Sequence, residues 1–204
     1  FEYRNLKTKN YFEGWYVRIT DLQNDVNFAF IFAITKDEDD PHAFIQIYDG
    51  IKLKNKYFRF DVADFKYLNG TVYIKDNYLS MDNMNINIED FKINVSMQKE
   101  KKNTKSNSAM SYMSKFPLEC FQEVNIIDGQ FKGELSIKNN VKKISGKTYM
   151  EKTYGNKFPE NWIWIQSNHF EDNIALTFAY GKIPFLNLRV KGFFAILNIK
   201  GKVY

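Results

Sequence analysis

Hydrophobic and polar positions alternate along most of the chain. Residues 11–19 (Tyr-Phe-Glu-Gly-Trp-Tyr-Val-Arg-Ile), 27–34, 43–48 and 57–62 carry a period of two, as do 72–75, 85–89, 91–97 and 120–127. The pattern resumes at 131–137, 143–150, 162–170, 174–180 and 189–199. These runs are short and rich in aromatic and β-branched residues. Turn pairs such as Asp49-Gly50, Asn69-Gly70 and Asp128-Gly129 separate them, as does Glu171-Asp172-Asn173. No stretch of useful length carries a helical stripe. The expectation is an all-β protein with more strands than a simple barrel of about eight requires.

Two segments break the pattern. Residues 98–108 are polar and lysine-rich, with no apolar side chain. They lack the arginines and interleaved aromatics of a patch for nucleic acid or acidic lipid, and read as a solvated loop. In 109–117, Met110, Tyr112, Met113 and Phe116 are apolar without alternating, as in a connector packed on the core or a flap over a cavity. The chain opens at Phe1 with no signal-peptide pattern, and its last turn, Lys200-Gly201, leads into an arm of three residues. Both ends are expected to belong to a longer protein.

Composition narrows the function classes. The 204 residues include 19 Phe, 13 Tyr and 3 Trp, an aromatic share of 17% that is rich for a globular chain. Charged residues make up 26%, and no apolar run approaches the roughly 20 residues of a membrane-spanning helix. Transient membrane contact stays open. Cys120 is the single cysteine, so an internal disulfide and a multi-cysteine metal site are excluded, while the compartment stays undecided, with the cytoplasm as the expectation. His42 and His169 are too few for a three-histidine zinc site. A net charge of +5, from 29 basic against 24 acidic residues, describes a mixed surface and not a nucleic-acid binder. Nothing in the pattern sets an oligomeric state.

Alternation also assigns faces. Trp162, Trp164, Gln166, Asn168 and Phe170 share one side of a strand, with Ile163, Ile165, Ser167 and His169 on the other. Aromatics mixed with neutral amides suit either a pocket that orients one polar atom of an apolar ligand, or a core face with hydrogen-bonded amides. Tyr11, Glu13, Trp15 and Val17 share a face, which sets a carboxylate beside an indole. Glu151 shares a face with Tyr149, whereas Lys152 and Tyr154 take the opposite one. A short Gly155–161 connection then returns the Trp162–Phe170 strand alongside. A carboxyl walled by aromatics is held as an acid by its surroundings, while a glutamate at a barrel rim pairs with lysine. No Gly-x-Ser-x-Gly elbow and no glycine-rich phosphate loop occurs.

The segments Tyr11-Phe-Glu-Gly-Trp-Tyr16, Ala43–Gly50, Met110–Cys120 and above all Tyr149–Phe170 resemble the tocopherol cyclase family, which is related to carotenoid 1,2-hydratases and lipocalin-like Diels–Alderases. The likeness runs in order from Tyr11 to Tyr204. It implies two lipocalin-like antiparallel β-barrels, the first within 1–145 and the second starting near 146 and incomplete at 204, with an apolar pocket in or between them. It further implies cofactor-independent chemistry. An acid protonates a prenyl double bond, and the tertiary cation is captured by a phenol oxygen or by water. Glu151, Glu13 and Glu119 are the candidate acids. Trp15, Tyr149, Tyr154, Trp162 and Trp164 are candidate faces for a cation, each contributing about 0.5–2 kcal/mol, and Gln166 and Asn168 are candidate orienting groups. Family members usually carry an acidic or amide residue and then Trp after the Glu-Lys, where this chain has Thr153 and Tyr154. The expected function is therefore cyclisation, hydration or isomerisation of a prenyl or polyene substrate. The alternative is a non-catalytic carrier of an apolar small molecule.

Overall fold

The alternating segments build sixteen strands in the computed structural model, which describes residues 1–99, 107–108, 118–185 and 188–204. The first nine are β1 (Tyr11–Asp21), β2 (Val26–Lys36), β3 (His42–Asp49), β4 (Lys54–Phe60), β5 (Phe65–Leu68), β6 (Thr71–Ile74), β7 (Asn77–Ser80), β8 (Asn83–Ile88) and β9 (Phe91–Lys99). A two-residue β10 (Asn107–Ser108) precedes the long pair β11 (Cys120–Ile137) and β12 (Asn140–Gly155). Then come β13 (Trp162–Ser167), β14 (Ile174–Phe185), β15 (Leu188–Ile199) and β16 (Lys202–Val203). The polar loop reading at 98–108 and the flap reading at 109–117 fall largely outside the described residues.

Eleven strands form one antiparallel path in the order β4-β3-β2-β1-β12-β11-β9-β8-β7-β6-β5, with β10 beside β11. The path is a nearly closed barrel. Its edge strands β4 and β5 are consecutive in the chain but unpaired, and a single 3-10 turn, Val62–Asp64, spans the gap between them. Inward-facing positions alternate as the sequence requires: Trp15, Val17 and Ile19 on β1 meet Phe30, Phe32, Ile45, Leu79, Met84, Ile93 and Met150 in one continuous core. Each large side chain buried in this way contributes about 1.5–3 kcal/mol.

The second barrel expected from the resemblance is not shown. Strands β13-β14-β15-β16 form a separate, open four-stranded sheet. The barrel keeps β12 as its own strand through Gly155, and the small sheet begins at Trp162. One face of the small sheet packs on the outside of the barrel, where Ala175 and Ile196 meet Val124, Ile127 and Tyr149. Two register shifts in β11, between Val124 and Ile126 and between Ile126 and Gly129, make this contact possible. They turn Ile126 into the barrel core while Val124 and Ile127 both face the small sheet.

The turn after β12 depends on Gly155. The Glu119 carbonyl accepts the N–H groups of Asn156 and Lys157 at 2.9 and 3.3 Å. It lies so close to Gly155 that an added Cβ would stand 2.1 Å from it. Gly155→Ala forces this backbone apart and is expected to destabilise by about 1–3 kcal/mol. Urea denaturation measures this, and an unchanged midpoint would refute the close-approach argument.

Candidate active site

Strand β12 is buried on both faces at residues 151 and 152, and the two neighbours face opposite ways. Glu151 turns outward, toward the small sheet, and is 7% exposed. Three neutral donors converge on its Oε2: the Tyr149 hydroxyl at 2.5 Å, the Gln122 amide at 2.7 Å and the Trp164 indole N–H at 3.1 Å. The rings of Tyr16, Tyr149 and Trp164 wall the group, with Trp164 edge-on to Tyr16 at 5.4 Å and tilted to Tyr149 at 6.3 Å. Burial pushes the Glu151 carboxyl above its ordinary range, and the three donors only partly offset it. Tyr149 is likewise raised, first by burial and then by the carboxylate beside it. The arrangement is a carboxyl that holds its proton beyond the usual carboxylate range, among aromatic faces, with no cationic partner among its hydrogen bonds. Such a group can act as a general acid.

The small sheet supplies the polar floor of this region. Arg18 donates to Gln166 Oε1 at 2.8 Å, which fixes the amide and leaves Gln166 Nε2 buried without a hydrogen-bond partner among the described residues. Asn168 donates to the Thr148 carbonyl at 3.1 Å. Thr177 pairs across the sheet with Gln166, and its buried hydroxyl has no hydrogen-bond partner among the described residues. Asn198, on the same face, is 2% exposed and its Oδ1 has no hydrogen-bond partner among the described residues.

Lys152 turns into the barrel and is fully buried. Its ammonium has three N–H donors, and three acceptors lie around it: Glu13 Oε1 at 3.1 Å, Glu123 Oε2 at 3.4 Å and the Glu2 carbonyl at 2.6 Å. Arg4 completes the cluster on Glu123 Oε1 at 2.8 Å. Tyr11 donates to Glu13, and the Tyr154 ring lies 4.8 Å from the Lys152 ammonium. Two carboxylates thus face two cations. Burial raises the Glu123 carboxyl, but Lys152 and Arg4 outweigh it and hold the group below its ordinary range.

The structure therefore divides the sequence candidates between two faces. Glu151, Tyr149, Trp164, Gln166 and Asn168 lie on the small-sheet side. Glu13, Trp15 and Tyr154 lie on the barrel side with Lys152, because Trp15 pairs with Lys152 and Tyr16 with Glu151 in the β1–β12 register. Trp162 joins neither cluster: it is 60% exposed at the start of β13. Glu119 is half-buried, and among the described residues its Oε2 has no hydrogen-bond partner and no hydrogen bond ties it to Glu151 or Glu13. Sequence reasoning missed Gln122, Tyr16, Arg18, Arg4 and Glu123. The signal for two of them was present, since the adjacent polar residues Gln122-Glu123 break the alternation of 120–127. Among the described residues, no group of three or more His, Cys, Asp or Glu could hold a metal ion, and no helix is long and apolar enough to cross a membrane.

The arrangement of the barrel and the second sheet is a fold shared with solved proteins. The chain superposes on an AttH-like protein of Nitrosomonas europaea with a TM-score of 0.64 and 17% identity, covering 95% of this chain and 67% of that one. It superposes on kievitone hydratase from Nectria haematococca with a TM-score of 0.56 and 12% identity, covering 96% and 63%. For CghA the TM-score is 0.51 and the identity 8%, with coverage of 95% and 59%. The chain thus spans about three-fifths to two-thirds of the length of these neighbours, and at such identities the likeness is one of fold. No functionally curated protein matches the sequence. The model of the tocopherol cyclase-like family matches residues 66–204, well over half of the chain, and the chain belongs to that family.

Glu123 and Glu151, both buried, carry opposite linkage signs. Glu123 has a lowered folded pKa, so its contribution is present above the unfolded value and lost as pH falls through the folded one. Glu151 has a raised folded pKa, so the fold binds more protons than the unfolded chain, and stability declines as pH rises from the unfolded value through the folded one. Glu151→Gln should therefore gain stability relative to the unsubstituted chain as pH rises above the usual carboxylate range. Urea titrations across that range check this, and a gain that shrinks with pH contradicts the raised pKa. Lys152→Met leaves Glu13 and Glu123 facing each other and should cost about 3–5 kcal/mol. Chemical denaturation checks it, and a loss no larger than that of a surface lysine would contradict the ion-cluster reading.

Proposed function

We propose that the protein protonates a double bond of a prenyl or polyene substrate and directs cyclisation, hydration or isomerisation of the resulting cation. Glu151 is the proton donor in this reading. The observation that carries it is a buried carboxyl raised above its ordinary range whose three hydrogen-bond partners are all neutral. Protonation of an alkene carbon transfers the Glu151 proton to that carbon and leaves a carboxylate, which Tyr149, Gln122 and Trp164 stabilise through their donors. The faces of Trp164, Tyr149 and Tyr16 can stabilise the cation formed beside them. Closure by a phenol oxygen or attack by water releases a proton that restores the acid, so the cycle consumes no cofactor. Gln166 and Asn168 orient the substrate in this reading. The family and the fold it shares with a hydratase support the class of reaction.

A carrier of an apolar small molecule is the second reading. It is favoured by Thr153, which stands on the Glu151 side of β12 in place of an acidic or amide group. We further read the small sheet as the opening of a second barrel. In support, its outer face exposes Ile163 at 54%, Ile165 at 50% and Phe193 at 73%, and the structural neighbours are longer than this chain.

Incubation with a prenylated quinol, followed by mass spectrometry, separates the readings. A chromanol or hydrated product supports the acid. Intact ligand held without conversion supports the carrier. Glu151→Gln keeps shape and hydrogen-bond reach while removing the transferable proton, so turnover should fall by about 10²–10⁴-fold with binding retained. An unchanged rate in that variant would remove Glu151 from the mechanism.

A further inference from the structure

The residues ahead of β1 do not belong to any strand, yet the barrel holds them as it would hold a bound peptide. The Phe1 carbonyl accepts the Trp15 indole N–H at 3.0 Å, and the Glu2 carbonyl accepts the Lys152 ammonium at 2.6 Å. The Arg4 N–H donates to the Glu13 carboxylate at 2.9 Å. Main-chain groups that would pair with a neighbouring strand in a sheet are met here by three buried side chains. Phe1, Tyr3 and Arg4 then seat their side chains on the barrel. Phe1 packs on Trp15 at 5.8 Å, and Tyr3 sits against Trp15, Phe65 and Tyr67 at 6.3, 5.1 and 6.1 Å. The Arg4 guanidinium reaches Glu123 at 2.8 Å and lies 5.7 Å from the Tyr154 ring. Fixed partners for the main chain, with pockets for successive side chains, are how proteins read extended peptides. The link to β1 suits exchange. Residues 5–10 are exposed, and Asn5 and Asn10 bracket them with φ of 45° and 56°, a left-handed conformation that asparagine adopts readily.

We propose that the barrel mouth formed by Trp15, Lys152, Glu13 and Glu123 is a binding site for an extended peptide of the form aromatic–x–aromatic–Arg, and that Phe1–Arg4 is its occupant supplied in cis. Lys152 and Glu13 are buried with the strap in place, and the Glu2 carbonyl and the Arg4 N–H are the main-chain groups that bond to them. The site is thus finished by the strap. It is separate from the Glu151 face, since β12 lies between them, and it stands or falls independently of the chemistry proposed there.

Hydrogen exchange on the full unsubstituted chain tests the first half. The Arg4 amide should exchange roughly a hundredfold or more faster than that of Val17 in β1, because the strap opens without global unfolding. Equal, globally limited rates would overturn the proposal. Fluorescence anisotropy tests the second half, with an acetylated Phe-Glu-Tyr-Arg-Asn-Leu peptide labelled at its C-terminal end. Arg4→Glu in the full chain sets a carboxylate against Glu123 and loosens the cis occupant, whose effective concentration in the unsubstituted chain is on the order of millimolar. The peptide should bind this variant at least about tenfold more tightly than the unsubstituted chain, and an arginine-to-alanine peptide should bind about tenfold more weakly than the parent peptide. If Arg4→Glu fails to fold by circular dichroism, Tyr3→Ala loosens the same strap without reversing a charge and serves in its place. A folded strap variant that binds neither peptide, or binds both equally, overturns the site.

Discussion

A strand with two buried faces must satisfy polar groups on both, and in this protein that constraint falls on the peptide between Glu151 and Lys152. Lys152 is the harder of the two to bury. An ammonium removed from water costs several kcal/mol unless it is compensated, and here it donates to the Glu2 carbonyl and pairs with two carboxylates within 3.4 Å. Two of those acceptors are carboxylates, which then need positive charge of their own. The second cation is Arg4, delivered by the segment ahead of β1. The position of that segment, the packing of Phe1 and Tyr3 and the closure of the barrel mouth all follow from placing one lysine inside.

The opposite face owes its chemistry to the absence of such compensation. Glu151 has donors but no counter-ion among its hydrogen bonds, so burial is opposed only by neutral dipoles and its proton is held more firmly. The sheet itself keeps the two environments apart. Adjacent residues on one strand point to opposite sides, and the lysine next in sequence contributes no hydrogen bond to the acid. Tyr149 and Trp164 serve two purposes at once, as hydrogen-bond donors to the carboxyl and as aromatic walls. The small sheet contributes Trp164, Gln166 and Asn168, which makes its docking on the barrel a requirement of the site.

Much of this arrangement was legible in the sequence because the period of two carries both fold class and facing. It separated Glu151 from Lys152 and grouped Tyr149, Trp164, Gln166 and Asn168 on usable faces. Three things escaped it. Trp162 shares the parity of Trp164, yet it stands at the exposed start of β13, and alternation reports side but not depth. Val124 and Ile126 have the same parity, yet face opposite ways, because the register shift in β11 inserts a residue that no local pattern announces. Arg4 and Glu123 meet across 119 positions of sequence, and only the β1–β12–β11 order brings them together. The second barrel was expected from the resemblance and not from the alternation, and the described residues form one barrel and an open sheet.

The back-to-back placement of Glu151 and Lys152 restricts how β12 can change. Substitution at either residue alters one environment and leaves the other in place. Insertion or deletion of a single residue upstream in the strand does something different, because it exchanges the two sides wholesale. The ammonium would then be delivered among Tyr16, Tyr149 and Trp164, and the carboxyl to a chamber already holding Glu13 and Glu123. The first would lose both of its carboxylates, and the second would add a third carboxylate where two already share Arg4. For anyone grafting loops, splicing relatives or building chimaeras from this chain, the parity of the distance from Asn140 to Gly155 is therefore a stricter specification than the identity of most residues within it.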